Sequence, residues 1–119
     1  MDVAGESAGG NLAVATAIAV RDAGIRQPRH VLSVYPVAQT SLNTESYIEN
    51  AIAKPLNRAM VKWFVDHLVR TEDDLKDTRL ALTDAQLGGL PSVTIINARL
   101  DPLRSDGSKI GRASCRERV

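Results

Sequence analysis

The chain has 119 residues, with 15 Lys or Arg against 14 Asp or Glu, one cysteine and 44% hydrophobic residues. A formal charge of +1 gives no electrostatic handle for nucleic acid or an anionic membrane, and one cysteine excludes a disulfide framework or a cysteine-rich zinc site. Neither a secretory leader nor an apolar run of membrane-spanning length is visible, so a cytoplasmic protein without membrane insertion is expected.

Val3-Ala4 is a short apolar stub. Behind it stands Gly5-Glu6-Ser7-Ala8-Gly9-Gly10, and then an Ala-rich run. This is the G-x-S-x-G pattern in the context it requires, strand to sharp turn to helix. A serine is a useful nucleophile only where its hydroxyl is exposed to the substrate and a base takes its proton. The turn at Ser7 supplies the exposure, and Gly5 and Gly9 are expected to leave room that a Cβ would fill. The N–H of Ala8 is then half of an oxyanion hole, helped by the positive end of the helix. The helix is expected over Asn11–Ala23, with Gly24 as its C′ residue. Its apolar sequence implies burial.

Val31–Val37 reads as the next parallel strand, ended by Pro36, and residues 38–53 as a surface excursion. Pro55 opens a helix to about Val69, with Leu56, Met60, Trp63, Phe64 and Leu68 at helical spacing. Arg70–Arg79 is a charged, solvated loop, and Thr83-Asp84 caps a short helix ending at Gly88-Gly89. Val93–Ala98 is a β-branched run, expected as a buried parallel strand. Functional groups gather beyond the carboxyl ends of such strands. Asp101 lies there, as Ser7 does on its own strand, and the order Ser…Asp…His makes Asp101 the acid. The plainer alternative is a turn residue before Pro102. Asp106 is a weaker candidate near a helix start. His30 sits near the amino end of its strand and His67 on an amphipathic helix, so neither fits the base.

The wording Gly5-Glu6-Ser7-Ala8-Gly9-Gly10-Asn11-Leu12-Ala13 resembles the hormone-sensitive-lipase-like family of bacterial esterases. The stretch from Leu90 to Gly107, with Asp101-Pro102-Leu103-Arg104 after a buried strand, looks like that family's acid segment. Type-B carboxylesterases also write G-E-S-A-G; the Asn11-Leu12 continuation and Asp101-Pro102-Leu103-Arg104 favour the first family. The resemblance implies a carboxylesterase acting on a small-molecule ester, with no metal or organic cofactor and Asp101 as triad acid. It also implies that residues 38–79 belong partly to a cap over the acyl pocket. Met60, Trp63 and Phe64 then line substrate, or else simply pack against the body.

Residues 110–119 break the pattern. They are Arg-rich, lack apolar periodicity and hold the one cysteine, Cys115. Their codons resemble a common sequencing-adapter read, so they are expected to be a translated adapter rather than native sequence. The alternative is a genuine basic tail. Without them, three Arg and one Glu fewer leave 12 basic and 13 acidic residues, a charge of −1. Residues 1–109 are expected to be an internal piece of an α/β-hydrolase fold, a mostly parallel sheet with helices on both faces. The upstream strands, the Gly-rich oxyanion segment and the histidine are expected to lie outside it. The expected activity is carboxylic ester hydrolysis through an acyl-enzyme in the parent protein. The alternatives are a non-catalytic hydrolase-like binding protein and another chemistry of the fold, such as a thioesterase or peptidase.

Overall fold

Three parallel strands form the sheet, in the order β1 (Val3–Glu6), β2 (His30–Val34) and β3 (Ser92–Ile96). The computed structural model describes residues 1–117, and side chains through Ala113. Val3 pairs with Val31 and Val31 with Val93; Gly5 pairs with Ser33 and Ser33 with Ile95. Side chains alternate across a sheet, so these two rows share one face. That face is buried by helices.

Strands β2 and β3 begin one residue earlier than expected and end at Val34 and Ile96, not at Val37 and Ala98. The reason lies at Tyr35, which takes φ 33, outside the β region. Pro36 follows and has no N–H for the ladder. Strand β3 is also less buried than its sequence implies: Ser92, Thr94 and Ile96 are exposed. They belong to the rows His30–Ser92, Ala4–Leu32–Thr94 and Glu6–Val34–Ile96 on the opposite face. The helices that follow Ser7 and Leu103 pack on the first face.

Helix α1 (Ala8–Asp22) starts three residues ahead of the expected Asn11, directly behind Ser7. It ends as its sequence indicates. Gly24 has φ +68, and the N–H groups of Gly24 and Ile25 donate to the carbonyls of Arg21 and Val20. This closes the helix end in a Schellman arrangement. Ala13, Val14 and Ala17 carry its buried stripe, while Leu12 remains 64% exposed.

The excursion after β2 holds helix α2 (Glu45–Glu49) and helix α3 (Arg58–Leu68). Helix α3 begins after Asn57, not at Pro55, because Asn57 Oδ1 accepts the Met60 N–H at 2.9 Å as an N-cap. The charged stretch contains a 3-10 turn at Glu72–Lys76. The short helix expected before Gly88 is a single 3-10 turn at Leu82–Asp84.

Helix α4 (Arg104–Glu117) follows the acid segment and runs through position 109. Leu103, Asp106, Gly107 and Ile110 are buried at helical spacing. Ile110 joins the main core with Val14, Ala17, Val31, Leu82 and Leu87, and Ala113 packs against it. The side chains of 114–117, and residues 118 and 119 altogether, lie outside the described residues. A second core layer, Tyr47, Val61, Val65 and Leu103, joins α2 and α3 to the start of α4.

Candidate active site

Ser7 sits between β1 and α1 with φ 53 and ψ −116, a region a side-chain-bearing residue rarely visits. The backbone around it enforces this. Ser7 N–H donates to Val34 O at 2.9 Å, and Ser7 O accepts from Asn11 N at 3.1 Å and Val37 N at 3.3 Å. A Cβ on Gly5 would lie 2.1 Å from Gly9 O, and one on Gly10 would lie 3.0 Å from Val34 O and 3.1 Å from Pro36 Cα. The expectation for Gly9 needs correction: a Cβ there meets nothing within 4 Å. Gly9 is instead the backbone against which Gly5 must fit. Gly10 is the second position where space is short. Helix α1 opens at Ala8, so the Ala8 N–H belongs to the first turn, where no i−4 helical carbonyl exists to take it.

Two further side chains brace the elbow. Tyr35 Oη donates to Glu6 Oε2 at 2.6 Å, tying the end of β2 to the end of β1. This bond to the carboxylate, with its charge, pushes the Tyr35 phenol up. Asn11 is buried, and its Nδ2 donates to Val37 O at 2.7 Å and Leu80 O at 3.3 Å. The elbow thereby holds the start of the excursion and the segment before the 3-10 turn at Leu82.

Asp101 lies five residues beyond β3 and is half-buried. Its Oδ1 accepts the Leu103 N–H at 2.9 Å. Burial raises its pKa, and the bond from Leu103 opposes the rise. Ser7 and Asp101 line one cleft of about 440 Å³, together with Tyr35, Leu56, Pro102 and Leu103. Ser7 also lines a second cleft of about 440 Å³, which shares Leu56 and Leu103 with the first. Ala8 lines it as well, and Leu12, Val61, Phe64, Val65 and Leu68 make its walls mostly apolar.

Of the three pocket candidates, Phe64 lines the second of these two clefts, and Met60 and Trp63 line neither. Met60 and Trp63 are 40% and 56% exposed. The faces of α3 differ from the expectation because Val61 and Val65, one turn apart, meet Tyr47 and Leu103 and claim the inward side. Trp63 instead packs edge-on to Phe64 at 5.3 Å and stacks on His67 at 4.0 Å. His67 Nδ1 is 2.7 Å from Trp63 O, and His30 Nε2 is 2.8 Å from Thr94 Oγ1. Neither histidine lines either cleft.

Asp106 is fully buried. Its Oδ2 accepts from Ala38 N at 2.9 Å and Gln39 N at 3.3 Å, and its Oδ1 accepts from Gln39 Nε2 at 2.8 Å. Burial pushes its pKa up to about 6 against these donors and Lys109. It faces the chain after β2 and lines neither cleft. Sequence reading missed Tyr35, Ser46 and Asn50. Only the register that sets Glu6 beside Val34 reveals the first. The other two emerge only when α2 is seen against the acid loop.

The α/β-hydrolase fold model matches residues 1–117. This chain belongs to that family. It is 39% identical over 110 residues to carboxylesterase NlhH of Mycobacterium tuberculosis, covering 89% of this chain and 34% of the relative. A thermostable esterase from Pseudomonas putida superposes with a TM-score of 0.95 at 31% identity, over 99% of this chain and 38% of that one. The hyperthermophilic esterase from Pyrobaculum calidifontis gives 0.94 at 31% identity, over 99% and 40%. The chain spans about a third of the length of the curated relatives it matches. These matches support the resemblance to hormone-sensitive-lipase-like esterases. Among the described residues no group of three His, Cys, Asp or Glu side chains could hold a metal ion, and no helix is long and apolar enough to cross a membrane.

Proposed function

We propose that the protein carrying this segment hydrolyses carboxylic esters through a Ser–His–Asp acyl-enzyme mechanism. The observation that carries the reading is the shared cleft: a strained Ser7 and a half-buried Asp101, from β-strand ends on either side of β2, face one space. Ser7 Oγ attacks the ester carbonyl, and the Ala8 N–H meets the developing oxyanion. A histidine from outside these residues takes the Ser7 proton and returns it to the leaving alcohol. Asp101 keeps Oδ1 on Leu103 N–H and offers Oδ2 to that imidazole. The apolar cleft beside Ala8 takes a hydrocarbon part of a small ester. The relatives include a carboxylesterase and esterases, which supports the ester class. No cofactor enters the mechanism.

The test is turnover of short p-nitrophenyl esters by the full-length protein. Ser7→Ala and Asp101→Asn should each lower kcat by about three to four decades, with melting little changed. The 119 residues alone should show negligible Ser7-dependent turnover, since no histidine lines the cleft. Asp101→Asn within a few-fold of wild type, with Asp106→Asn folded but inactive, would move the acid to Asp106. Binding of an ester analogue without any turnover would favour a non-catalytic hydrolase-like protein. Turnover of thioesters or peptides in preference to esters would change the substrate class.

A further inference from the structure

On its approach the loop carrying Asp101 is held from α4, where Arg104 Nη1 donates to Arg99 O at 2.8 Å and Asn97 Nδ2 to Ser108 Oγ at 3.4 Å. Asn97 to Leu100 are all exposed, and Pro102 has no N–H with which to anchor the chain beside Asp101. Around Asp101 itself the Arg104 N–H donates to the Asp101 carbonyl at 3.1 Å, and the side-chain restraint comes from α2. Ser46 is fully buried, and its Oγ donates to Pro102 O at 2.5 Å while accepting from Ser105 N at 3.0 Å. Ser46 N–H returns a bond to Ser105 Oγ at 3.3 Å. Asn50, 7% exposed, donates through Nδ2 to the carbonyl of Asp101 itself at 3.4 Å and to Ser46 O at 3.1 Å. Beneath these bonds Tyr47 packs with Leu103. On the outer side Arg104 pairs with Glu49 at 2.6 Å, where both side chains are partly solvated.

We propose that α2 is a latch for the acid, with Ser46 and Asn50 as positioning residues that aim the Asp101 carboxylate into the cleft it shares with Ser7. The inference rests on the reading of Asp101 as the triad acid. Ser46 suits the task because one small hydroxyl both donates and accepts between two successive parts of the loop. Alanine removes both bonds. Asn50 adds a restraint at the Asp101 backbone, where a small rotation swings the carboxylate. A misplacement of about 1 Å at a catalytic group can cost on the order of a hundredfold in rate. Glu49 lies on the same helix, but its ion pair is solvent-screened and holds Arg104 rather than Asp101.

The experiment uses the full-length protein with two readouts, steady-state ester hydrolysis and amide hydrogen exchange at Leu103, Arg104 and Ser105. Ser46→Ala should lower kcat by about ten- to a hundredfold with KM within about twofold. It should also speed exchange at those three amides. Ser46→Thr, which keeps the hydroxyl, should regain activity over Ser46→Ala even where its extra methyl lowers the melting temperature. Glu49→Gln, which keeps an oxygen for Arg104, should leave kcat within about twofold. A Ser46→Ala protein with faster unfolding but kcat within twofold, or with unaltered exchange at Leu103–Ser105, would overturn the latch. If Ser46→Ala does not fold, Asn50→Ala decides by the same criteria, with a several-fold loss of kcat expected. Loss of the latch in exchange, in a protein whose ester hydrolysis is indifferent to Ser7→Ala, would mean instead that the esterase reading had failed.

Discussion

Ser7 and Asp101 reach the same cleft from two differently built regions. The elbow is fixed chiefly by its own backbone, with Tyr35 and Asn11 as braces: Gly5 against Gly9, Gly10 against β2, and Ser7 N–H on Val34 O. The acid loop is fixed largely by side chains, from Arg104 and from α2, more than 50 residues away in sequence. Backbone sterics tolerate almost no substitution and leave a compact motif. Side-chain bonds between distant elements can be built in many ways and leave none. The difference also predicts how each region fails.

The largest effect should come from Gly5→Ala. The new Cβ would meet a backbone oxygen at 2.1 Å and a backbone carbon at 2.4 Å, neither of which can swing aside as a side chain would. Relief requires moving α1 away from β1. The expected loss exceeds about 4 kcal/mol, the range reserved for a named structural breakdown. Thermal melting of the full-length variant checks it; a loss under about 1 kcal/mol would mean that the elbow is far softer than its contacts imply.

Asp106→Asn should cost roughly 1–3 kcal/mol without the loss of turnover expected of Asp101→Asn. An amide has one acceptor oxygen where the carboxylate serves three N–H donors. Gln39 cannot simply flip to compensate, because its Oε1 already takes Lys109 Nζ at 2.9 Å. The pH dependence gives a separate check. Burial raises Asp106 from 3.8 to about 6, so the folded state holds a proton that the unfolded state releases. This contribution to stability is fully present below about pH 4 and lost as pH rises through about 6. It is on the order of 3 kcal/mol. Asp77, lowered to about 2 by Arg79, works in the opposite sense and below that window. Asp101 is raised as well, so the test is the difference between wild type and Asp106→Asn across pH 4–6. A difference that stays flat there would show that Asp106 is ionised throughout.

The two regions are unequally legible in the sequence. Ser7 and its turn can be read because the backbone path demands glycines at fixed spacing. The strands around Val31 and Val93 can be read from their β-branched runs. Spacing credits Gly9 with a steric role that belongs to Gly10, since it does not say which α-carbon faces β2. The family resemblance draws Met60 and Trp63 toward the pocket, but two valines take the inward face through contacts with Tyr47 and Leu103. Asp106 reads as a helix-start residue, and its burial depends on Ala38 and Gln39 folding back over it. Ser46 carries no local signal, because an ordinary serine in a polar stretch gains meaning only from Pro102 and Ser105 beside it.

The smallest effect should be Ser33→Ala, and it sharpens the contrast most. Ser33 is fully buried, and its Oγ donates to Gly10 O at 2.9 Å, so it is the elbow's counterpart of Ser46. Gly10 O lies in the first turn of α1, where the helix itself supplies an i+4 donor. Removing the hydroxyl therefore leaves no carbonyl stranded. The expected loss is about 1 kcal/mol, that of one neutral hydrogen bond. Because Gly5, Gly10 and Val34 hold Ser7 without it, kcat should stay within about twofold. At the acid loop the same kind of substitution removes both bonds through which Ser46 Oγ holds the loop, and kcat should fall. A Ser33→Ala enzyme that loses as much kcat as Ser46→Ala would show that the elbow, too, depends on side chains.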